Sequence, residues 1–117
     1  MELKVIEQTD VFTHVALVGR LDTPGVDRVE SRFNAALFNP RRHALVDLSA
    51  VEFLSSMGVR MLLAAAKVLS RSGARMVLVA PRPLVEGALR HSAIDELLPV
   101  CADLASAREA CVGTTPA

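Results

Sequence analysis

Val46-Asp47-Leu48-Ser49-Ala50-Val51-Glu52-Phe53-Leu54-Ser55-Ser56-Met57-Gly58-Val59-Arg60-Met61-Leu62-Leu63 holds a strand, a tight loop and a helix start in one stretch. Entering it, His43-Ala44-Leu45-Val46-Asp47-Leu48 is a short apolar run without helical spacing, as expected of a strand buried on both faces. Leaving it, Val59, Leu62, Leu63, Ala66 and Leu69 recur at helical spacing and predict the buried stripe of an amphipathic helix. Ser55 and Ser56 between them are of the type that caps helices, and Gly58 lets a second backbone approach. A hydroxyl is thus placed at a helix N-terminus, where unpaired N–H groups and the helix dipole favour an added anion.

Working outward, Leu3–Gln8 and Phe12–Val18, separated by Thr9-Asp10, read as a β-hairpin, with His14 on its solvent face. Thr23 is expected to cap a first helix, with Pro24 at its first position and Val26, Val29, Phe33 and Leu37 inward; Asn39-Pro40 ends it. Arg41-Arg42 then offsets the helix dipole. Beyond the central stretch, Ser72-Gly73 closes the second helix and Ala74–Val79 reads as a buried strand, completing a right-handed βαβ unit. Pro81-Arg82-Pro83 starts a third helix to about His91, with Val85, Ala88 and Leu89 inward. Ser92–Leu98 is a turn with a short helical piece, Pro99-Val100 an edge strand, and Asp103 the cap of a last helix to Ala110. The order implies an α/β fold of about four helices on a mostly parallel sheet of four to five strands with an N-terminal antiparallel hairpin. One domain is expected over residues 1–112, with a flexible tail at 113–117.

Composition narrows the function. Thirteen basic and thirteen acidic residues cancel, so no net field draws the chain to nucleic acid or an anionic membrane. Aromatic residues are 3% of the sequence, with no Trp or Tyr, leaving few rings for bases to stack on. Cys101 and Cys111 read as semi-buried thiols of a reducing compartment. No apolar run is long enough to span a membrane and no secretory pattern opens the chain, so a cytoplasmic location is expected.

His14, His43 and His91 have no metal-ligand spacing, and no glycine-rich nucleotide loop is present, so no metal or cofactor is expected. Ser55 or Ser56 as a nucleophile would need one of those histidines as base, and the Gly-x-Ser-x-Gly setting is absent; the chain does not read as an enzyme. Arg60, Lys67 and Arg71 share an outward helix face, and Arg60 in the first turn opposes the dipole, which makes sense if an acidic group approaches.

Asp47-Leu48-Ser49, then Phe53-Leu54-Ser55-Ser56-Met57-Gly58-Val59, resembles the signature of the STAS domain, the fold of bacterial anti-sigma factor antagonists. Gly19-Arg20-Leu21-Asp22 is similar to the family's Gly-x-Leu-Asp, and the element order agrees from about Leu3 to Ala110. On its residues alone Ser56 is a helix cap; the resemblance makes it the serine that a partner kinase phosphorylates, with Ser55 the alternative. Some relatives carry Asp before the acceptor and a small residue after it, where this chain has Ser55 and Met57.

The resemblance further implies that Asp22, Thr23, Ser55, Met57, Gly58 and Arg60 form a partner surface, on a loop made apolar by Phe53, Leu54, Met57 and Val59. The implied partners are an anti-sigma factor with serine kinase activity, which itself binds ATP, and a serine phosphatase. The unphosphorylated chain would bind the kinase and free a sigma factor. Alternatives are a STAS scaffold subunit of a stress-sensing complex or lipid-transport system, or a small α/β nucleotide-binding protein or enzyme. Oligomeric state is not legible in these residues.

Overall fold

The apolar runs and periodic stripes become ten elements in a computed structural model that describes residues 1–38 and 42–112, with the last two residues described in backbone only. In order they are β1 (Glu2–Gln8), β2 (Phe12–Leu21), α1 (Thr23–Phe38), β3 (His43–Leu54), α2 (Ser56–Arg71), β4 (Met76–Val79), α3 (Pro83–His91), a 3₁₀ turn (Ile94–Glu96), β5 (Val100–Cys101) and α4 (Leu104–Val112). The expectations for Asn39-Pro40, for Arg41, for the Cys111 thiol and for the tail at 113–117 lie outside what is described.

Five strands form one sheet in the order β1-β2-β3-β4-β5. The hairpin pair β1–β2 is antiparallel, and the three remaining pairings are parallel. Parallel neighbours need crossovers, and α1, α2 and α3 supply them. These three helices bury one sheet face in the main core, which contains the predicted Val26, Val29, Phe33 and Leu37 together with Val85 and Leu89. The opposite face is covered by α4, whose Ala107 packs with Phe12, Leu45, Val77 and Val79. Asp103 caps α4 as expected, accepting the Ser106 N–H at 2.8 Å. Among the described residues no helix is long and apolar enough to cross a membrane.

Three expectations about the sheet and the packing of α2 need correcting. The central strand does not stop at Leu48 but runs to Leu54, because Val51 and Leu54 are buried beside the end of β2. Its pairing slips twice against β2, between Ala16 and Val18 and between Gly19 and Arg20, which breaks the alternation that marks a strand. At the first slip the Asp47 carboxylate accepts the Ser49 N–H at 2.8 Å, and Arg82 Nε donates to the Ser49 carbonyl at 2.7 Å. The buried stripe of α2 is Gly58, Met61, Leu62, Ala65, Ala66 and Leu69, leaving Val59 and Leu63 half-buried. The helix is rotated so that Gly58, which alone has room to meet the end of β2, faces inward.

His14 is the third correction. Instead of facing solvent it is 6% exposed, and among the described residues nothing hydrogen-bonds to its Nε2. It pairs across the sheet with Glu7 and Leu45, on the face that α4 covers. Arg108 of α4 clamps this corner, pairing with Glu7 at 2.6 Å and lying 5.4 Å from the Phe12 ring centre. Burial pushes the His14 pKa down, opposed by Asp47 and Glu7 and aided by Arg108.

Because the folded pKa lies below the unfolded one, the unfolded chain takes up the proton first, and stability is lost as pH falls from about 6.5 through the folded value. Urea titrations between pH 7.5 and 5.5 should therefore show a falling midpoint, and His14→Gln should flatten that dependence. An unchanged slope in His14→Gln would assign the loss to other groups.

Candidate functional site

β2 and β3 run side by side to the same end of the sheet, where Leu21 pairs with Leu54. One residue, Ser55, then separates β3 from α2, so the expected tight loop is a single serine. Ser55 is extended (φ −86°, ψ 170°) and is the cap of α2. Its N–H donates to the Leu21 carbonyl at 3.0 Å, and its hydroxyl donates to the same oxygen at 2.9 Å. The same hydroxyl oxygen accepts the Gly58 N–H at 3.2 Å, and the Ser55 carbonyl accepts Val59 N–H at 3.0 Å. Both capacities of the Ser55 side chain are therefore used in fixing the helix start.

Gly58 fits because a Cβ there would lie 2.7 Å from the Leu21 carbonyl oxygen and 2.8 Å from Leu54 Cδ1. The neighbouring helix starts just as closely, since a Cβ on Gly25 would come within 2.2 Å of the Arg20 carbonyl oxygen. The cap of α1 is Asp22 and not Thr23: its carboxylate accepts the Gly25 N–H at 2.9 Å and its carbonyl the Val26 N–H at 2.8 Å. Thr23 and Pro24 are thus the first and second helical residues. The Gly25 N–H bond holds the Asp22 carboxyl below the usual carboxylate range, and Arg20, 3.4 Å away, adds to this.

Ser56 is the first residue of α2 and exposed; among the described residues nothing hydrogen-bonds to its hydroxyl. Met57, 39% exposed, and Arg60 also face solvent. Through the Leu21–Ser55 link, Asp22 and Thr23 at the start of α1 and Ser55, Ser56, Met57, Gly58 and Arg60 at the start of α2 come to one end of the sheet. The apolar loop does not form as expected. Leu54 is buried, Phe53 lies half-buried beneath the Arg20 guanidinium at 4.6 Å, and Val59 is half-buried, leaving Met57 as the open apolar residue of the four.

No histidine joins this end. His43 opens β3 at the opposite end and accepts the Arg75 N–H at 2.9 Å; His14 pairs near that same end, and His91 closes α3 far from its N-terminus. No group of His, Cys, Asp and Glu among the described residues could hold a metal ion. Burial pushes up the pKa of the half-buried Cys101 thiol on β5, with Asp103 adding to it.

Sequence reasoning did not single out Arg28 and Glu52, which with Arg20, Asp22 and Pro24 line an open depression of about 400 Å³ beside the start of α1. Arg20 stood in the Gly-Arg-Leu-Asp motif, but its place over Phe53 depends on a long-range pairing that the motif does not encode.

The family model of the STAS domain matches residues 3–107. Among solved structures, an anti-sigma factor antagonist from Mycobacterium paratuberculosis is 25% identical, with a TM-score of 0.81 over 94% of each chain. A STAS domain protein from Planctomyces limnophilus is 23% identical, with a TM-score of 0.81 over 94% of this chain and 97% of the other. The anti-sigma factor antagonist SpoIIAA in its unphosphorylated form is 18% identical, with a TM-score of 0.77 over 97% of this chain and 99% of the other. No curated protein sequence matches the chain.

The division between the two serines is measurable. Ser55→Ala should cost about 1–2 kcal/mol of unfolding free energy in urea, since it removes the cap and the tie to Leu21. Ser56→Ala should stay within about 0.5 kcal/mol of the parent, and Gly58→Ala should cost about 1–3 kcal/mol through overpacking. Equal losses for the two serines would contradict the cap assignment.

Proposed function

The chain belongs to the STAS-domain family, and from that premise we propose that it is an anti-sigma factor antagonist switched by phosphorylation of Ser56. Unmodified, it binds an anti-sigma factor of the ATP-using serine kinase type and frees a sigma factor. Phosphorylated, it dissociates, and a serine phosphatase restores it. ATP stays with the kinase; this chain is a cytoplasmic binding module and kinase substrate, not a catalyst.

The observation that carries this reading is that the helix cap falls on Ser55, which leaves the Ser56 hydroxyl exposed and, among the described residues, unengaged. A kinase can take that hydroxyl without disturbing the helix start. Phosphorylating Ser55 instead would require breaking its bonds to Leu21 and Gly58.

In this reading Ser55 and Gly58 shape the surface, while Asp22, Thr23, Met57 and Arg60 touch the partner. A phosphate on Ser56 adds about −1.5 to −2 charges one turn from Arg60. It draws Arg60 away from any acidic group on the partner and must be desolvated when the surfaces close, a cost of several kcal/mol without a matching cation.

Incubation with the anti-sigma factor kinase and ATP should add one phosphate, seen by mass spectrometry, to the parent and to Ser55→Ala but not to Ser56→Ala. Loss of the adduct in Ser55→Ala alone, with that variant folded, would move the acceptor. Ser56→Asp should weaken kinase binding at least about tenfold. Binding without any phosphorylation would favour a constitutive scaffold role over a switch.

A further inference from the structure

The outward side of α2 differs in charge from the rest of the molecule. The chain as a whole is neutral, yet this helix, Ser-Met-Gly-Val-Arg-Met-Leu-Leu-Ala-Ala-Ala-Lys-Val-Leu-Ser-Arg, carries Arg60, Lys67 and Arg71 and no acidic side chain. With 3.6 residues per turn the three cations fall within an arc of about 40°, directly opposite the buried stripe, and span about 16 Å of helix. All three are exposed, and none takes part in an ion pair among the described residues. Met57 and Val68, each 39% exposed, flank the row on one side, and Ala64 leaves room for close approach at its middle.

Ser56 stands about 40° from Arg60 at the head of this row. Arg60 stands against the helix dipole and Lys67 and Arg71 are a like-charged pair four residues apart; both costs are relieved when carboxylates approach.

We propose that the outward face of α2 is a cationic docking rail for an acidic segment of the protein partner, running from Ser56 to Arg71; this rests on the partner-switch reading given above. The complementary segment presents carboxylates to Arg60, Lys67 and Arg71 and apolar atoms to Met57 and Val68. The rail steers encounter and sets register, while the Ser56 end decides retention. Three cations over about 16 Å are few for a nucleic-acid backbone and would give a far shallower salt dependence than a protein making about 6–10 phosphate contacts. Phosphorylation of Ser56 places its charge at the head of the rail, neutralises Arg60 and shortens the row that the partner reads.

The test is the affinity of the purified chain for the anti-sigma factor kinase at 50 and 300 mM salt. Lys67→Gln with Arg71→Gln, at the far end from Ser56, should weaken binding about tenfold at low salt and reduce the salt dependence, while Lys67→Arg with Arg71→Lys should bind like the parent. Circular dichroism melts should match the parent in both double variants. Unchanged affinity and salt dependence in the glutamine variant, with Ser56→Asp still impaired, would overturn the rail and leave the switch standing. Failure of the unmodified parent to bind the kinase removes both. Duplex DNA that competes with the kinase at equal charge concentration would assign the row to nucleic acid and also overturn the proposal.

Discussion

A single backbone carbonyl, that of Leu21, organises the end of the sheet where the candidate site lies. It accepts both the N–H and the hydroxyl of Ser55, and Gly58 packs where any side chain would collide with it. An oxygen with two lone pairs is filled by two donors from one residue, so β2 and β3 end in fixed relation and α2 starts at a fixed angle. Asp22, the next residue after Leu21, caps α1 from the other side. Two helix starts are thereby tied to the last residue of β2 and to the residue after it, and the groups they expose are held together by these ties, not by contacts among those groups.

The same constraint separates support from chemistry. Of two adjacent serines, one has spent its donor and its acceptor inside the fold, and the other has spent neither on any described group. A charge added to Ser56 changes the surface while the hydrogen bonds that hold the helix start remain intact. An exposed first-turn position is also where an added anion is best tolerated by the helix itself. Modification of such a residue acts on what approaches the surface, since the elements beneath it are already over-determined.

Much of this was legible in the sequence because it is local. The βαβ units, the stripe of α1, the Ser72-Gly73 stop, the Asp103 cap and the close-approach role of Gly58 follow from spacing and residue type within one or two turns. What was not legible depends on distant segments. Which serine caps α2 is decided by the Leu21 carbonyl, 34 residues earlier. The length of β3 is decided by its pairing with the end of β2, through two slips that erase the alternating pattern. The rotation of α2 follows from the seat of Gly58, so the half-buried Val59 and Leu63 looked central while Met61 and Ala65 did not. His14 was read as a solvent-facing strand residue because α4, almost a hundred residues later, is what covers it.

The charge pattern shows how a neutral chain can still be selective. Arg20 is tied to Asp22 and laid over Phe53, Arg108 is tied to Glu7 and laid near Phe12, and Arg90 is tied to Glu86 within its own helix. These cations serve the fold and contribute little field beyond it, because each has its counter-charge at hand. Arg60, Lys67 and Arg71 are in none of these pairs and stand on a helix with no acid. At physiological salt the Debye length is about 8 Å, so distant charges of the molecule cannot cancel a row of cations at the moment another surface makes contact. Net charge therefore says little about the field at any one face of this chain; the local imbalance along α2 is what a surface brought against that helix would meet.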